Sequence, residues 1–464
     1  FGLLRLEARG RDHDLEEVDR RIAAIDPDAL MTLIYTSGTT GQPKGVMISH
    51  GNMIANCEAC ARAVPIAADD VLLSFLPLSH SFERMAGYYM PALFGGATIY
   101  YAEGVEHLLP NLLEVQPTLM TGVPRVYEKI YSRVRLLRAQ SHPVRRALMD
   151  AALSVGSRVS RLEESGRAPG RLLGMQYRWV RDRVFGTIRE RLGGRIRLFV
   201  SGGAPLAPEI GEFFYTAGIL ILEGYGLTET SPVVSVNRPE AFRFGTVGRP
   251  LDNVRVRVAS DGELMVKAPS VMLGYWNQDE TTSEVLNDEG WLATGDIGKL
   301  ERDGFLRITD RKKDLFKDSG GRYIAPQRIE GRLRMSPFIE EACVIGDGRP
   351  YCVALVVPNF EALEPWASEH GVNTVDHRSL VQHPIVEAML NKVVKRVNGK
   401  LARHEAVRSI HVLDTPFTSG DDLLTPSLKV KRDRVKDRFG AEIESLYAIS
   451  SAGGREPVAQ GDVG

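Results

Sequence analysis

The sequence predicts an α/β protein with a large domain of layered sheets and a small α+β domain at the C-terminal end. Short apolar runs at 71–78, 195–203 and 219–226 end in Gly, Ser or Pro. They alternate with stretches of helical length at 105–116 and 206–217. Buried strands that lead into polar loops and then helices indicate an α/β sheet, and ligands of such sheets bind at the carboxyl ends of the strands.

Composition indicates an ordinary globular protein. The 464 residues are 43% hydrophobic and 25% charged, which is enough chain for two to four domains with sizeable cores. A net charge of -1 gives no overall reason to expect a nucleic-acid partner. No apolar run reaches 18 residues, so the sequence predicts no membrane span. The sequence begins FGLLRLEARG, without Met or a signal-peptide layout, and we expect a piece of a longer chain.

The four cysteines favour a reducing compartment. Cys57 and Cys60 form a CxxC, a pattern that binds zinc or performs redox chemistry in some proteins. No second CxxC or nearby histidine cluster accompanies it, so buried structural thiols are the better interpretation and no metal cluster is expected. We therefore expect a cytoplasmic protein.

The segment YTSGTTGQPKG at 35–45 has the composition of a polyphosphate-binding loop. Its glycines expose consecutive backbone N–H groups, and its hydroxyls and Lys44 add donors around the same concavity. Pro43 stands directly before Lys44, so the P-loop pattern of Gly-Lys-Ser/Thr is missing and a P-loop kinase or ATPase is disfavoured. An ordinary surface turn is the alternative.

The stretch 131–197 is helical in pattern and strongly basic. It contains sixteen arginines against five acids, and apolar residues recur near i, i+3, i+4 and i+7 in YRWVRDRVFGTIRERL. A solvated helical face packed on the core is one interpretation. Peripheral contact with anionic lipid or with an amphipathic substrate is the other.

Changes in pattern predict the domain boundaries. Short alternating strands with Gly turns begin near Asn253, and the charged run DRKKD follows. We expect a partial large domain over 1–309, which includes the arginine-rich insertion 131–197 and a β-rich subdomain over 245–309. The remaining predicted units are a hinge at 310–314, a mobile C-terminal domain at 315–450 and a disordered tail at 451–464.

Six blocks in a fixed order resemble one family. They are YTSGTTGQPKG, SGGAP, EGYGLTE, ATGDIG, DRKKD and LTPSLKVKR. Together they resemble the adenylate-forming superfamily of acyl-CoA synthetases, nonribosomal adenylation domains and luciferases. LPLSHSFER, TGVPRVYEKI and the arginine-rich insertion are most similar to bacterial long-chain fatty acyl-CoA synthetases. The resemblance covers the chain to about residue 445 and implies an acetyl-CoA synthetase-like large domain.

The resemblance implies a reaction in two steps. A fatty carboxylate attacks the α-phosphate of ATP to give acyl-AMP and pyrophosphate, and the thiolate of coenzyme A then displaces AMP. Because two anions meet in the first step, positive charge, Mg²⁺ and backbone donors are needed. The implied partners are thus a fatty acid, ATP, Mg²⁺ and coenzyme A, without nucleic acid.

The resemblance also implies roles for nucleotide-binding residues. The loop around the β- and γ-phosphates comprises Thr36, Ser37, Gly38, Thr39, Thr40, Gly41 and Lys44. The adenine pocket comprises Gly202, Gly203, Ala204, Pro205, Glu223, Gly224, Tyr225 and Gly226, with Tyr225 stacked on the base. Thr228 is expected to touch the α-phosphate, and Glu229 to hold Mg²⁺ with Thr39. Asp296 is expected to accept from the ribose hydroxyls, and Arg311 to contact ribose or phosphate.

The C-terminal domain has its own implied roles. Lys429 is expected to bridge the substrate carboxylate and the α-phosphate, with Lys431 as the reserve candidate. A solvated basic strand that contains Lys429, Lys431 and Arg432 is the alternative. Lys313 matches the hinge about which the small domain rotates between the two steps. Gly320 and Gly321 are expected to approach the path of the coenzyme A thiol.

His80 corresponds to a position near the acyl group, although a core or capping histidine is an alternative. No general base is expected, since a carboxylate is already ionised at neutral pH.

One departure from the family pattern concerns the amino end, where only 34 residues precede Tyr35. Long-chain synthetases carry a much longer segment there, so the first sheet is expected to have an exposed edge. Three alternatives to a fatty acid:CoA ligase stay open at this point. They are an adenylating enzyme for another acid, an enzyme that hands acyl-AMP to a carrier protein, and a non-catalytic nucleotide- or acyl-binding relative.

Overall fold

The computed structural model describes residues 3–11, 14–36, 43–418, 420–424 and 430–452. The predicted tail at 451–464 lies outside this part except for its first two residues, which end a helix. The description begins with helices α1 (Leu3–Gly10) and α2 (Leu15–Ala23), which are joined to the rest by the hairpin β1 (Leu30–Thr36) and β2 (Lys44–Ser49).

A seven-stranded sheet forms the centre of the large domain. Its order is β4-β3-β5-β6-β7-β8-β9, in which β4 to β7 run parallel and the last two strands are antiparallel. The strands are β3 (Val71–Ser74), β4 (Thr98–Tyr101), β5 (Leu119–Gly122), β6 (Leu198–Ser201), β7 (Leu220–Gly226), β8 (Val233–Val236) and β9 (Arg249–Pro250). The predicted α/β class with strand ends that lead into polar loops is confirmed.

Helices cover this sheet. They are α3 (His50–Ala63), α4 (Leu108–Val115), α5 (Pro124–Ala139), α6 (Pro143–Glu164), α7 (Arg171–Arg183), α8 (Gly186–Arg191) and α9 (Pro208–Thr216). Two π-helical segments, Glu83–Tyr89 and Pro91–Gly95, follow β3. The arginine-rich insertion is α-helical, as its periodicity predicted, and Val180 and Phe185 on its inner face pack in one buried cluster with Phe213 of α9.

The β-rich part that follows is antiparallel. A four-stranded sheet runs in the order β10-β11-β13-β14, and β12 instead extends the β1-β2 hairpin to three strands. The elements are β10 (Arg255–Val258), β11 (Glu263–Lys267), β12 (Gly274–Tyr275), α10 (Asp279–Val285), β13 (Leu292–Leu300) and β14 (Leu306–Arg311). Asp296 therefore lies within a strand.

The C-terminal domain is α+β with its own core. Its three-stranded sheet pairs β17 antiparallel with β18 and β18 parallel with β19, beside the small hairpin β15-β16. The elements are β15 (Phe316–Lys317), β16 (Tyr323–Ile324), α11 (Pro326–Arg334), β17 (Ile339–Ile345), β18 (Cys352–Pro358), α12 (Phe360–Glu369), α13 (His377–Val381), α14 (Pro384–Asn398), β19 (Val407–Val412), α15 (Arg432–Arg438) and α16 (Gly440–Ala452). Every residue of β18 is buried because helices pack on both faces of the sheet.

All four cysteines are buried and unpaired. Burial raises the pKa of Cys57 to about 12 and also raises that of Cys60, so both thiols stay protonated. The prediction that these thiols are buried is confirmed. The structure has no helix long and apolar enough to cross a membrane among the residues it describes.

Candidate functional site

A cleft of about 3540 Å³ is lined by both the large domain and the C-terminal domain. It lies at the carboxyl ends of β5, β6 and β7, where parallel strands present their loops to ligands. Most of the predicted site residues that the structure describes line this cleft, although they come from separate parts of the sequence. They are Thr36, Lys44, His80, Gly202, Gly203, Ala204, Pro205, Glu223, Gly224, Tyr225, Gly226, Thr228, Glu229, Asp296, Arg311 and Lys313.

The predicted phosphate loop reaches the cleft at its two ends. Thr36 closes β1, Lys44 opens β2, and the two residues are register partners in the hairpin. Both line the cleft. Five members of the predicted loop lie outside the residues that the structure describes, namely Ser37, Gly38, Thr39, Thr40 and Gly41.

Two adjacent loops form the predicted adenine pocket. SGGAP follows β6 and EGYG ends β7, and Ser201 and Glu223 are register partners in these parallel strands. The Glu223 carboxylate accepts a hydrogen bond of 2.9 Å from the backbone N–H of Leu206, which ties the first loop to the second. Burial raises the pKa of Glu223 to about 8, although the Leu206 hydrogen bond opposes this shift.

Two glycines of these loops are required for different structural reasons. Gly203 has a φ of +82°, a conformation that a side chain disfavours. At Gly226, a Cβ atom would lie 1.9 Å from the carbonyl oxygen of Pro232. The backbone approach therefore requires glycine at 226 whatever ligand the pocket holds, a reason that the sequence did not reveal.

Tyr225, Asp296 and Arg311 form a connected polar cluster. The Tyr225 hydroxyl donates to Asp296 Oδ2 at 2.7 Å, and Arg311 Nε lies 3.2 Å from Asp296 Oδ1. Asp296 and Arg311 are register partners in β13 and β14, which explains their proximity. Burial, followed by the Asp296 charge, raises the pKa of Tyr225 well above its usual value, so the hydroxyl stays a donor.

Thr228 and Glu229 each contact a residue that the sequence did not single out. Thr228 Oγ1 lies 3.2 Å from Ser81 Oγ. Glu229 Oε1 accepts a hydrogen bond of 2.9 Å from the Tyr275 hydroxyl, and Lys44 Nζ lies 4.9 Å from the centre of the same ring. The only sequence signal for Tyr275 was an aromatic residue after a glycine at the end of an apolar run.

Glu229 supplies one carboxylate that could hold a hard cation together with substrate phosphate. Among the described residues, no group of three or more His, Cys, Asp or Glu side chains is placed to hold a metal alone. Mg²⁺ is commonly bound by one or two carboxylates together with substrate phosphates, and Glu229 supplies one such carboxylate in the cleft. Thr39, the second predicted ligand, lies outside the described residues.

His80 lies on the exposed side of the turn before the first π-helical segment and lines the cleft. Its Nδ1 accepts a hydrogen bond of 3.3 Å from the backbone N–H of Phe82, so it also caps this turn. The same cleft has an apolar wall contributed by α3, β3, the π-helical segment and β5. Its members include Val64, Leu72, Met85, Met90 and Leu119.

The start of the C-terminal domain is tied to the β-rich sheet. Lys312 Nζ pairs with Asp261 at 2.7 Å and with Glu263 at 2.8 Å, whereas the next residue, Lys313, is exposed at the cleft. Gly320 and Gly321 form the turn of the β15-β16 hairpin and do not line the cleft in this arrangement of the domains. Their predicted approach to a thiol path therefore stays a prediction.

Two of the three cations near the C-terminal motif lie in the described part of the chain, and their environments differ. Lys429 lies outside the described residues. Lys431 lines the cleft and pairs with Asp422. Arg432 is largely buried and donates to Glu330 at 2.7 Å and to the Val344 carbonyl oxygen at 2.6 Å, so it is a structural residue of the small domain rather than part of a solvated strand.

Known proteins are similar to this chain over most of its length. Residues 4–276 match the AMP-binding enzyme family, and residues 314–451 match the AMP-binding enzyme C-terminal domain. The chain is 36% identical to the long-chain-fatty-acid–CoA ligase FadD15 of Mycobacterium tuberculosis, over 96% of this chain and 73% of that protein.

Solved structures share the fold. The adenylation domain of the carboxylate reductase from Mycobacterium chelonae superposes with a TM-score of 0.67 at 28% identity, over 91% of this chain and 61% of that one. The A domain of carboxylic acid reductase from Segniliparus rugosus, in complex with AMP and a co-purified carboxylic acid, gives 0.65 at 26% identity, over 94% and 66%. The chain therefore spans a little under two thirds of these two structures.

Proposed function

The chain belongs to the AMP-binding enzyme family, and on that premise we propose that it is a long-chain fatty acid:CoA ligase that works through an acyl-AMP intermediate. The observation that carries this proposal is the convergence in one cleft of Lys44, Tyr225, Glu229, Asp296 and Arg311 from four separate segments. The named long-chain ligases among its relatives support the choice of substrate.

In the first step, an oxygen of the fatty carboxylate attacks the α-phosphorus of ATP, and the bond to the β-phosphate breaks to release pyrophosphate. In the second step, the thiolate of coenzyme A attacks the acyl carbon, and the bond to AMP breaks. The carboxylate needs no general base because it is ionised at neutral pH. The protein contributes position and positive charge where anionic groups meet.

The cluster around Asp296 is suited to hold the nucleoside part of ATP. Its carboxylate would accept from the ribose hydroxyls, and Arg311 beside it would contact ribose or phosphate. The Tyr225 ring and the SGGAP backbone would bracket the adenine, with the Glu223–Leu206 hydrogen bond fixing the distance between the two loops. Thr228 would contact the α-phosphate.

Lys44 and the phosphate loop would hold the β- and γ-phosphates and the leaving pyrophosphate, with Lys429 as the cation between carboxylate and α-phosphate. Glu229, with Thr39, would hold Mg²⁺, which when bound neutralises phosphate oxygens. The apolar wall of the cleft would take the acyl chain, and burial of each methylene there contributes about 0.8 kcal/mol. His80 would lie near the acyl group.

Coenzyme A would enter after the small domain rotates. Residues of the C-terminal motif line the cleft, whereas Gly320 and Gly321 do not, which fits the arrangement for the first step. The predicted hinge at 310–314 joins the large domain over 1–309 to the C-terminal domain over 315–450. Rotation about Lys313 in this hinge would turn the C-terminal motif away from the cleft and bring Gly320 and Gly321 to it.

We also propose that α7 contacts anionic lipid. Its inner face packs on the core through Leu173, Tyr177 and Val180, while Leu172, Met175 and Trp179 on the outer face are 72%, 61% and 54% exposed. Arginines flank this outer stripe, and the single acid of the helix, Asp182, is already paired with Arg181 and Arg189. An apolar stripe with a basic border is the pattern that favours the interface of an anionic membrane.

Product identification tests the proposed reaction. The chain is incubated with palmitate, ATP and Mg²⁺, with and without coenzyme A, and the products are identified by mass spectrometry. The proposal predicts palmitoyl-AMP without coenzyme A and palmitoyl-CoA with it. A product that forms only with a carrier protein, or with a different acid, would replace the proposed acceptor or substrate, and ATP hydrolysis without any acid would contradict the proposal.

A further inference from the structure

Tyr275 is held by both of the chain segments that carry Lys44 and Glu229. β12 pairs with β2, where Tyr275 is the register partner of Val46, and Trp276 N–H donates to the Gly45 carbonyl oxygen at 2.8 Å. Three residues earlier, Met272 N–H donates to the carbonyl oxygen of Glu229 at 2.9 Å. The backbone around Tyr275 therefore fixes the spacing between the strand that begins with Lys44 and the turn that contains Glu229.

The side chain of Tyr275 also connects these two segments. Its hydroxyl donates to Glu229 Oε1, and its ring face carries Lys44 Nζ at a distance typical of a cation–π contact. The residue is 5% exposed. The hydrogen bond of this largely buried phenol is directed at the carboxylate.

This arrangement places the Lys44 ammonium and the Glu229 carboxylate on one tyrosine side chain without pairing them. Among the residues that the structure describes, Lys44 has no salt bridge to a carboxylate within 4.0 Å. A direct Lys44–Glu229 pair would neutralise the two groups that have to meet phosphate and metal. The aromatic ring stabilises the ammonium by a weaker contact, which leaves its N–H donors available.

We propose that Tyr275 is a positioning residue for adenylation, which orients the Glu229 carboxylate through its hydroxyl and the Lys44 ammonium through its ring. The inference rests on the proposed function, because it takes Glu229 as the metal-binding carboxylate and Lys44 as the phosphate-binding cation. Outer partners of metal ligands act in this way elsewhere, and their loss lowers metal affinity.

Two variants separate the two contacts. Tyr275→Phe keeps the ring and its packing but removes the hydroxyl, whereas Tyr275→Leu removes both. Tyr177→Phe is the matched control, because its hydroxyl donates to the Tyr215 carbonyl oxygen at 2.6 Å in the same domain and it does not line the cleft. Any general cost of removing a partly buried phenol hydroxyl should appear in the control.

The experiment measures binding rather than turnover. ATP binding is followed by calorimetry in EDTA, and Mn²⁺ binding to the protein–ATP complex is followed by electron paramagnetic resonance. We expect Tyr275→Phe to weaken Mn²⁺ binding roughly tenfold and to leave metal-free ATP binding unchanged. Tyr275→Leu should also weaken metal-free ATP binding, and Tyr177→Phe should match the wild type in both.

Equal Mn²⁺ affinity in wild type and Tyr275→Phe would overturn the inference, as would a wild-type chain that binds no Mn²⁺ with ATP. The proposed function is tested separately, by measuring acid-dependent pyrophosphate release by the wild type. A chain that shows the Tyr275 effect on binding but releases no pyrophosphate would retain the positioning role and lose the ligase assignment.

Discussion

Glu223 has a buried carboxyl group at the junction of two loops of the cleft. Its pKa rises from the usual 4.5 to about 8 because burial disfavours the ionised form. The folded protein therefore keeps this proton over a range of pH in which the unfolded chain loses it. The stabilisation from the bound proton is fully present below about pH 4.5 and is lost as the pH rises through about 8.

Replacement of Glu223 by glutamine tests this assignment. The amide oxygen of Glu223→Gln still accepts from Leu206 N–H but cannot ionise. Between pH 5 and 8, the free energy of unfolding of the wild type should therefore fall more steeply with pH than that of the variant, by about 1.4 kcal/mol per pH unit. Urea unfolding at several pH values measures the two slopes, with the exposed Glu58→Gln as control. Parallel slopes would show that Glu223 ionises normally.

Some of the residues in the site could be identified from the sequence, whereas others could not. The blocks around Glu229 and Asp296 could be recognised in the sequence because the order of the six blocks along the chain is specific. The contacts of Tyr275 could not be predicted, since they depend on β12 joining the β1-β2 hairpin rather than the sheet formed by its sequence neighbours. Arg432 resembled a solvated cation in sequence, whereas its partner Glu330 lies 102 residues away.

At the scale of elements, α7 has a surface that the core does not use. If its outer stripe contacts lipid, then Leu172→Ser, Met175→Ser and Trp179→Ser together should lower the partition onto phosphatidylserine vesicles by on the order of tenfold or more, because the apolar area available for burial is removed. Sedimentation with vesicles of phosphatidylserine, and of phosphatidylcholine for comparison, measures this partition.

The matched control for α7 is on α4, where Leu109 and Leu113 are 56% and 53% exposed. Leu109→Ser with Leu113→Ser should leave vesicle binding unchanged. Equal binding by the α7 variant and the wild type, or equal binding to both kinds of vesicle, would refute the lipid contact.

Several elements of the large domain followed from local pattern. The strands at β3, β6 and β7 and the helices α4 and α9 lie where apolar runs and helical periodicity predicted them. The π-helical segments after β3 did not, because nothing local distinguishes them from an α-helix. The order of the strands in the sheet could not be predicted either, since β5 and β6 are adjacent in the sheet although the whole helical insertion separates them in the sequence.

At the scale of the whole molecule, an ion network joins the two domains. Arg334 of the small domain lies 3.2 Å from Glu128 and 2.9 Å from Glu341, and Arg125 of α5 also pairs with Glu341. Both acids are buried. Removal of one partner from such a network leaves buried charge without compensation, which is costly. The network therefore stabilises the arrangement in which the C-terminal motif lines the cleft.

Arg334→Met should weaken this arrangement. We expect the variant to slow pyrophosphate release in the absence of coenzyme A by roughly tenfold, and to leave thioester formation from supplied acyl-AMP unaffected or faster. Arg133→Ala is the control, because its pair with Glu361 is exposed and of little energetic consequence. Equal slowing of both half-reactions would indicate a general loss of stability rather than a shift between arrangements.

The central claim is that this cleft adenylates a fatty acid, and pyrophosphate release with palmitate, ATP and Mg²⁺ tests it most directly. The chain is compared with Lys429→Ala and Lys431→Ala before coenzyme A is added. The account predicts palmitate-dependent release that collapses in Lys429→Ala with ATP binding intact and persists in Lys431→Ala, whose side chain pairs with Asp422. Absence of palmitate-dependent release from the unsubstituted chain, or full release from Lys429→Ala, would contradict it.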